Sequence, residues 1–164
     1  YNYKSTGRPV YTNNEEVDHR PHYNAGYLDS SITPLYPFGY GLSYTTFAIS
    51  NVHLNKKSMK RYNDSIIVNA SVQNTGTTEG EIVVQLYTRQ LVASVSRPIK
   101  ELKGFQKISL KAGESKQVRF ELPSEALAFY GINGKKDTEP SEYLLWVGLH
   151  SADNNNEQHF TIEE

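Results

Sequence analysis

The chain has 164 residues, 37% of them hydrophobic and 12% aromatic, with twelve tyrosines, one tryptophan and no cysteine; 17 basic against 18 acidic residues leave a net charge of −1. A chain of this length hides roughly two-thirds of its unfolded surface on folding, enough for one hydrophobic core. The charge balance excludes a nucleic-acid partner held by phosphate contacts, the lack of cysteine excludes a disulfide framework and thiolate chemistry, and no apolar run approaches the ~20 residues of a membrane-spanning helix.

Residues 1–33 are polar and aperiodic, with Tyr1, Tyr3, Tyr11, Tyr23 and Tyr27 scattered among Asn, Ser, Thr, Pro and Gly. So many rings argue against a plain disordered linker, and the reading is an extended segment lying across a neighbouring surface. Glu15, Glu16, Asp18, His19, Arg20 and His22 form the densest titratable cluster. No ligand spacing or rigid element frames them, so they read as a solvated loop. Pro34 to Phe47 is the stretch around which the chain is organised. Pro37 bars helix there, Gly39 and Gly41 admit turns or close approaches, and Tyr36, Phe38, Tyr40 and Tyr44 offer stiff apolar area with polar handles.

From Tyr44 the hydrophobic period becomes two. Phe47 and Ile49, continued by Val52 and Leu54, predict a first strand with a break near Ser50-Asn51. Ile66, Val68, Ala70 and Val72 alternate with polar neighbours and end at the turn Asn74-Thr75-Gly76. After Gly80, the residues Ile82, Val84 and Leu86 make one face, while Val83, Gln85 and Tyr87 make a second, partly covered one. Pro98 confines its surroundings to an edge or bulge; Ile99–Leu102 and Phe105–Leu110 read as two short strands around Gly104. Lys111–Glu114 is a turn, Val118, Phe120 and Leu122 give another clean strand, and Ser124–Leu127 allows one helical turn. Asn133-Gly134 is a hairpin signal, Tyr143, Leu145 and Val147 form the next strand, Asp153–Asn156 a turn, and Phe160 and Ile162 the last strand. About seven or eight short strands without a convincing helix predict an all-β sandwich.

Chemistry is hard to find in this chain. Glu79, Glu81, Glu114, Glu139, Glu142, Glu163 and Glu164 lie at turns, strand edges or the terminus, where carboxylates are ordinarily solvated. The histidines His19, His22, His53, His150 and His159 share no metal spacing, and Asp153–Glu157 lacks the glycine and distal glutamate of a calcium loop. Asn63-Asp64-Ser65 and Asn69-Ala70-Ser71 match glycosylation acceptors, the second in mid-strand. Trp146 either packs in the sandwich, covers the open sheet, or stacks on a sugar. The expectation is no catalytic residue, no metal and no cofactor.

Several segments in order carry a resemblance. Leu35-Tyr36-Pro37-Phe38-Gly39-Tyr40-Gly41-Leu42-Ser43-Tyr44 resembles the hallmark near the C-terminus of glycoside hydrolase family three enzymes of the bacterial periplasmic β-glucosidase type. Thr6-Gly7-Arg8-Pro9 precedes it; Val72–Gly76, Val83–Tyr87, Ser96–Phe105 and Leu110–Ser115 follow. The likeness spans essentially the whole chain. It implies a connector over residues 1–43 and a fibronectin type III-like (immunoglobulin-like) domain over 44–164. It also implies a longer parent that hydrolyses terminal β-D-glucosyl residues with retention and is periplasmic or secreted. The catalytic Asp and the acid/base Glu of such a parent lie outside this chain, by the same resemblance.

On that basis the chain is expected to be a non-catalytic accessory domain, inactive alone. Its expected partners are the preceding catalytic domains of the same polypeptide and, through them, an oligosaccharide substrate; a homodimer of the parent is a further expectation, and nucleic acid and membrane are not. Tyr36, Phe38, Tyr40 and Tyr44 are assigned to the domain junction and Arg97 to a structural ion pair. Two alternatives are an independent carbohydrate-binding module and a cell-surface adhesion or scaffold domain. One departure from the family pattern is Pro140-Ser141, where Pro-Gly is usual; a positive φ at Ser141 would strain the backbone.

Overall fold

The computed structural model describes residues 33–164, so the Tyr-rich start, the Glu15–His22 cluster and Thr6–Pro9 lie outside the described residues. Among the described residues the strands run, in chain order, β1 (Phe47–Leu54), β2 (Ser58–Lys60), β3 (Ser65–Asn74), β4 (Gly80–Gln90), β5 (Glu101–Leu110), β6 (Ser115–Pro123), β7 (Phe129–Tyr130), β8 (Lys136–Asp137), β9 (Ser141–Gly148) and β10 (Gln158–Glu163), with a 3-10 turn at Ser124–Leu127. They form a three-stranded sheet, β1-β3-β6, and a five-stranded sheet, β2-β10-β9-β4-β5, with β7 and β8 as a small ribbon.

The two-residue period explains the sandwich. On β3, Ile66, Val68, Ala70 and Val72 are fully buried, and they meet Val118, Phe120 and Leu122 of β6 on the same face. From the other sheet Met59, Val84, Leu86, Ile108, Leu110, Tyr143, Leu145, Val147, Phe160 and Ile162 complete one core cluster. Alternating positions on β3 and β6, such as Gln73, Gln117, Arg119 and Glu121, face solvent and are polar, as expected for the wet face of an antiparallel sheet.

Three details depart from or sharpen the sequence reading. The break in β1 is a bulge between Ser50 and His53, with Asn51 at φ 52°; Asn tolerates this left-handed region better than most residues. The two strands expected around Gly104 are one strand, β5, because a bulge opposite Leu86/Tyr87 absorbs the extra residue and the ladder continues. Ile99 stays outside it, after Pro98. A Cβ on Gly104 would lie 3.2 Å from the Phe120 ring, so glycine lets the two sheets close at this point. Ser141 opens β9 and is not among the positive-φ residues, so the Pro140-Ser141 turn carries no such strain. The Ser141 hydroxyl instead donates to the Val92 carbonyl at 2.7 Å.

Strand β2 was not anticipated. It pairs parallel with β10 through Ser58–Lys60 and Thr161–Glu163, burying Met59. Three residues with one apolar side chain give no readable period; only the last strand of the chain, folded back alongside, makes them a strand.

Candidate docking site

On β4 the outward-facing Gln85 and Tyr87 are as buried as the core, at 4% and 1% exposure. The segment Phe38–Ser43 covers them. The Tyr40 N–H donates to Pro37 O at 3.0 Å, and Gly39, third in this turn, has φ +79°. Gln85 Nε2 then donates to Gly39 O at 3.0 Å and to Leu149 O at 2.6 Å, while the Ser151 N–H donates to Phe38 O at 2.9 Å. The Tyr87 hydroxyl donates to Gln85 Oε1 and reaches Phe38 O at 3.5 Å. Further along, Ser43 Oγ donates to Glu81 O at 3.4 Å, and Thr45 Oγ1 to Asn74 Oδ1 at 2.7 Å. The segment therefore runs along the outer face of β4 in the opposite sense, from Tyr87 to Glu81. A Cβ on Gly39 would stand 2.0 Å from Gln85 Oε1, so only glycine permits this approach.

Because the segment lies down on its backbone, its rings point away. Tyr44 is 100% exposed, Leu42 89% and Leu35 86%; Tyr36, Phe38 and Tyr40 are also exposed. Tyr36 packs on Tyr40 with ring centroids 5.4 Å apart, and Tyr40 on His150 at 5.6 Å. Phe105, which stands across the ladder from Gln85 on β5, is exposed too, as is Val83. Between segment and sheet runs a cleft of about 460 Å³, walled among others by Tyr40, Leu42, Val83, Lys107 and His150. Its one carboxylate, Glu81, is held by Lys107 at 2.6 Å.

The remaining residues singled out from the sequence scatter. Arg97 forms an ion pair with Glu101 at 2.6 Å and lies 4.0 Å over the Phe129 ring; Lys103 takes the second Glu101 oxygen at 2.6 Å. Glu139 accepts from Ser94 N at 2.9 Å, Glu114 from Lys111 N at 2.7 Å, and Glu79 from Ser109 Oγ at 3.4 Å. These are turn and loop clasps, each carboxylate engaged by a backbone or side-chain donor of a neighbouring turn or strand. Trp146 lies on the outer face opposite Tyr87, is 4% exposed, and is covered by Lys100, whose ammonium is 4.2 Å from the ring. That ammonium also donates to Asp153 O and Asn154 Oδ1, both at 2.7 Å, and so occupies oxygens that suggested a cation loop. Burial lowers the Lys100 pKa to about 8. Gln85 and Tyr87 escaped notice as the clamp. Their signal was a buried-looking strand whose outer face carries an amide and a phenol, which need partners if covered.

Residues 82–151 match the family model described as Fibronectin type III-like domain. The chain is 45% identical over 152 residues to the periplasmic beta-glucosidase of Salmonella typhimurium, an alignment covering 93% of this chain and 19% of that protein. Over 160 residues it is 41% identical to thermostable beta-glucosidase B of Acetivibrio thermocellus, covering 92% of this chain and 21% of the relative. This chain is a fibronectin type III-like domain of the family-three β-glucosidases. Among solved structures, the β-glucosidase of Listeria innocua in complex with glucose superimposes with a TM-score of 0.86 at 37% identity, over all of this chain and 22% of that one. A family-three β-glucosidase of Bifidobacterium adolescentis gives 0.69 at 39% identity, over 77% and 18%. The domain thus spans about a fifth of the length of the relatives it matches. The likeness to Listeria innocua reaches beyond the part matched by the family model and includes the Pro34–Phe47 segment.

Proposed function

We propose that this domain braces a family-three β-glucosidase, with residues 1–43 acting as connector and 44–164 as the sandwich. The catalytic body of the same polypeptide would dock on Tyr36, Phe38, Tyr40 and Tyr44. The observation that carries this reading is a run of outward-facing large side chains, Tyr44 fully exposed among them, on a segment that the sheet itself clamps through Gln85 and Tyr87. Contiguous apolar surface of this kind marks an interaction site, and clamping lowers the entropy lost on docking. Arg97, stacked on Phe129 and paired with Glu101, fixes the β4–β5 loop as a structural ion pair. The parent would cleave terminal β-D-glucosyl units with retention, through two carboxyls carried elsewhere in the polypeptide. By likeness to the Salmonella protein, named periplasmic, it would work in the periplasm or outside the cell.

The test is association in trans. The 164-residue chain, mixed with the separately produced remainder of its parent, is expected to form a complex in size-exclusion chromatography. Combined Tyr36→Ala, Phe38→Ala and Tyr44→Ala should abolish the complex while leaving the sandwich folded by circular dichroism. No complex with the unaltered chain, or an equally stable one with the triple variant, would sink the reading.

A further inference from the structure

Large apolar side chains left outside the core are not shared evenly between the two sheets. Among the described residues none is exposed on β1, β3 or β6. The outer face of that sheet is polar: Ser50, Ser71 and Gln117 form one row across its ladders, and His53, Asn69 and Arg119 another. On the five-stranded sheet Val83 and Leu102 are each 36% exposed and Phe105 is 67% exposed. All three share the outer face of β4 and β5. Leu102 stands across the ladder from Tyr87, Phe105 from Gln85, and Val83 lies two residues before Gln85.

A sheet with one wet face alternates apolar inward and polar outward. The three-stranded sheet obeys this rule, and Phe105 breaks it in the middle of β5. Its ring is not part of the core cluster. It stands beside Gln85, the residue whose amide holds the Gly39 carbonyl of the connector. Val83, on the same strand as Gln85, lines the cleft with Tyr40 and Leu42. The exposed side chains of the connector and those of the sheet thus adjoin on one face. The other exposed apolar residues sit on loops. Leu91 and Val92 line a cavity of about 500 Å³ enclosed by the β4–β5 loop, and Ile132 lies in the β7–β8 turn. Single apolar side chains at such places are ordinary, whereas a continuous patch marks a contact surface.

The path of the chain says what covers this patch. The domain spans about a fifth of the length of its relatives. The described chain enters the sandwich along this same face, backbone down on Gln85 and Tyr87. A body joined through that segment arrives over β4 and β5, not over the polar sheet behind. The charged pair at the border, Lys107 with Glu81 at 2.6 Å, is neutral as a unit and does not repel an apolar surface. We infer that the catalytic body of the parent covers the outer face of β4 and β5 as well as the connector, with Phe105 as the anchor that the sheet itself supplies. The inference rests on the docking reading for its occupant and adds to it a sheet surface and a residue; the outer face of β1-β3-β6 stays in water.

Hydroxyl-radical footprinting of the isolated 164-residue chain and of the intact parent tests it. Phe105 should be oxidised readily in the isolated chain and lose that reactivity in the parent, as should Tyr36 and Phe38. In the association assay Phe105→Ala should weaken the complex about tenfold, as truncation of an aromatic anchor does. It should leave the thermal midpoint of the isolated chain unchanged, because the ring lies outside the core. Phe105 equally reactive in both proteins, or a complex as tight with Phe105→Ala as with the unaltered chain, would overturn the inference. So would protection of Phe105 in the isolated chain that is lost on dilution, which would give the face to a second copy. Connector rings protected while Phe105 stays open would sink this inference alone. Phe105 protected while the connector rings stay open would sink the connector docking alone. The footprint of the intact parent decides the matter even where the two pieces do not associate in trans.

Discussion

Gly39 is where a single hydrogen atom in place of a side chain decides the outer surface. It combines a left-handed φ with an approach to Gln85 that no Cβ allows. Gly39→Ala incurs ~1–2 kcal/mol from the backbone alone, plus displacement of Gln85. The segment should lift off, seen as faster amide exchange at Tyr40 and Ser151, whose N–H groups close the turn and hold Phe38 O. Gly41→Ala, with no atom within 4 Å of its would-be Cβ, should change neither. Lys100 shows a different kind of single-residue control. Its ammonium sits over Trp146 with two oxygen partners, yet burial holds its pKa at about 8 against 10.5 for the free side chain. Between those values the unfolded chain binds the extra proton, so stability rises with pH across the window. Measured by chemical denaturation, the unaltered protein should gain on Lys100→Met from pH 8 to 10.5; a constant difference would show that the ammonium is not desolvated.

Among the elements, β2 depends on the turn that follows it. The Asp64 carboxylate accepts from Lys56, from Lys60 N at 2.9 Å and from Ser65 N at 2.8 Å, tying β2 to the start of β3. The bond from Lys56, then those from the two backbone amides, lower the Asp64 pKa to about 2. A carboxyl depressed in the folded state contributes stability above its unfolded value near 3.8 and loses it as pH falls toward 2. Asp64→Asn should therefore be less stable than the unaltered chain at neutral pH, and the gap should close on acidification below pH 4, followed by thermal melts. Arg61 secures the far side of the same strand, donating from Nε to Thr138 O at 2.6 Å and pairing with Asp137 at 2.7 Å.

As a whole molecule, the sandwich has its own two-sheet core, built from β1-β3-β6 against β2-β10-β9-β4-β5. Retaining hydrolysis needs two carboxyls about 5–5.5 Å apart on either side of the sugar. The cleft beside the connector offers only Glu81, committed to Lys107, and the β4–β5 loop cavity is lined by none. The purified chain should therefore fold cooperatively and show no turnover of an aryl β-D-glucoside above the uncatalysed rate. Turnover that co-purifies with the chain and survives its re-isolation would contradict this.

The period of two along β3, β4, β6, β9 and β10, with Gly and Asn at their ends, was enough to determine that these residues are strands around one core, because alternation and turn chemistry act between near neighbours. The ordered segments from Leu35 to Ser115 likewise carried the family likeness. Tertiary structure alone decided what lies on what. It made β2 a strand by laying β10 beside it, merged two expected strands into β5 through a bulge, buried Trp146 beneath Lys100, and turned Gln85 and Tyr87 into a clamp. Each of these depends on partners fifteen or more residues away, or on the backbone path of an aperiodic segment, and no local pattern records where such a partner comes to rest.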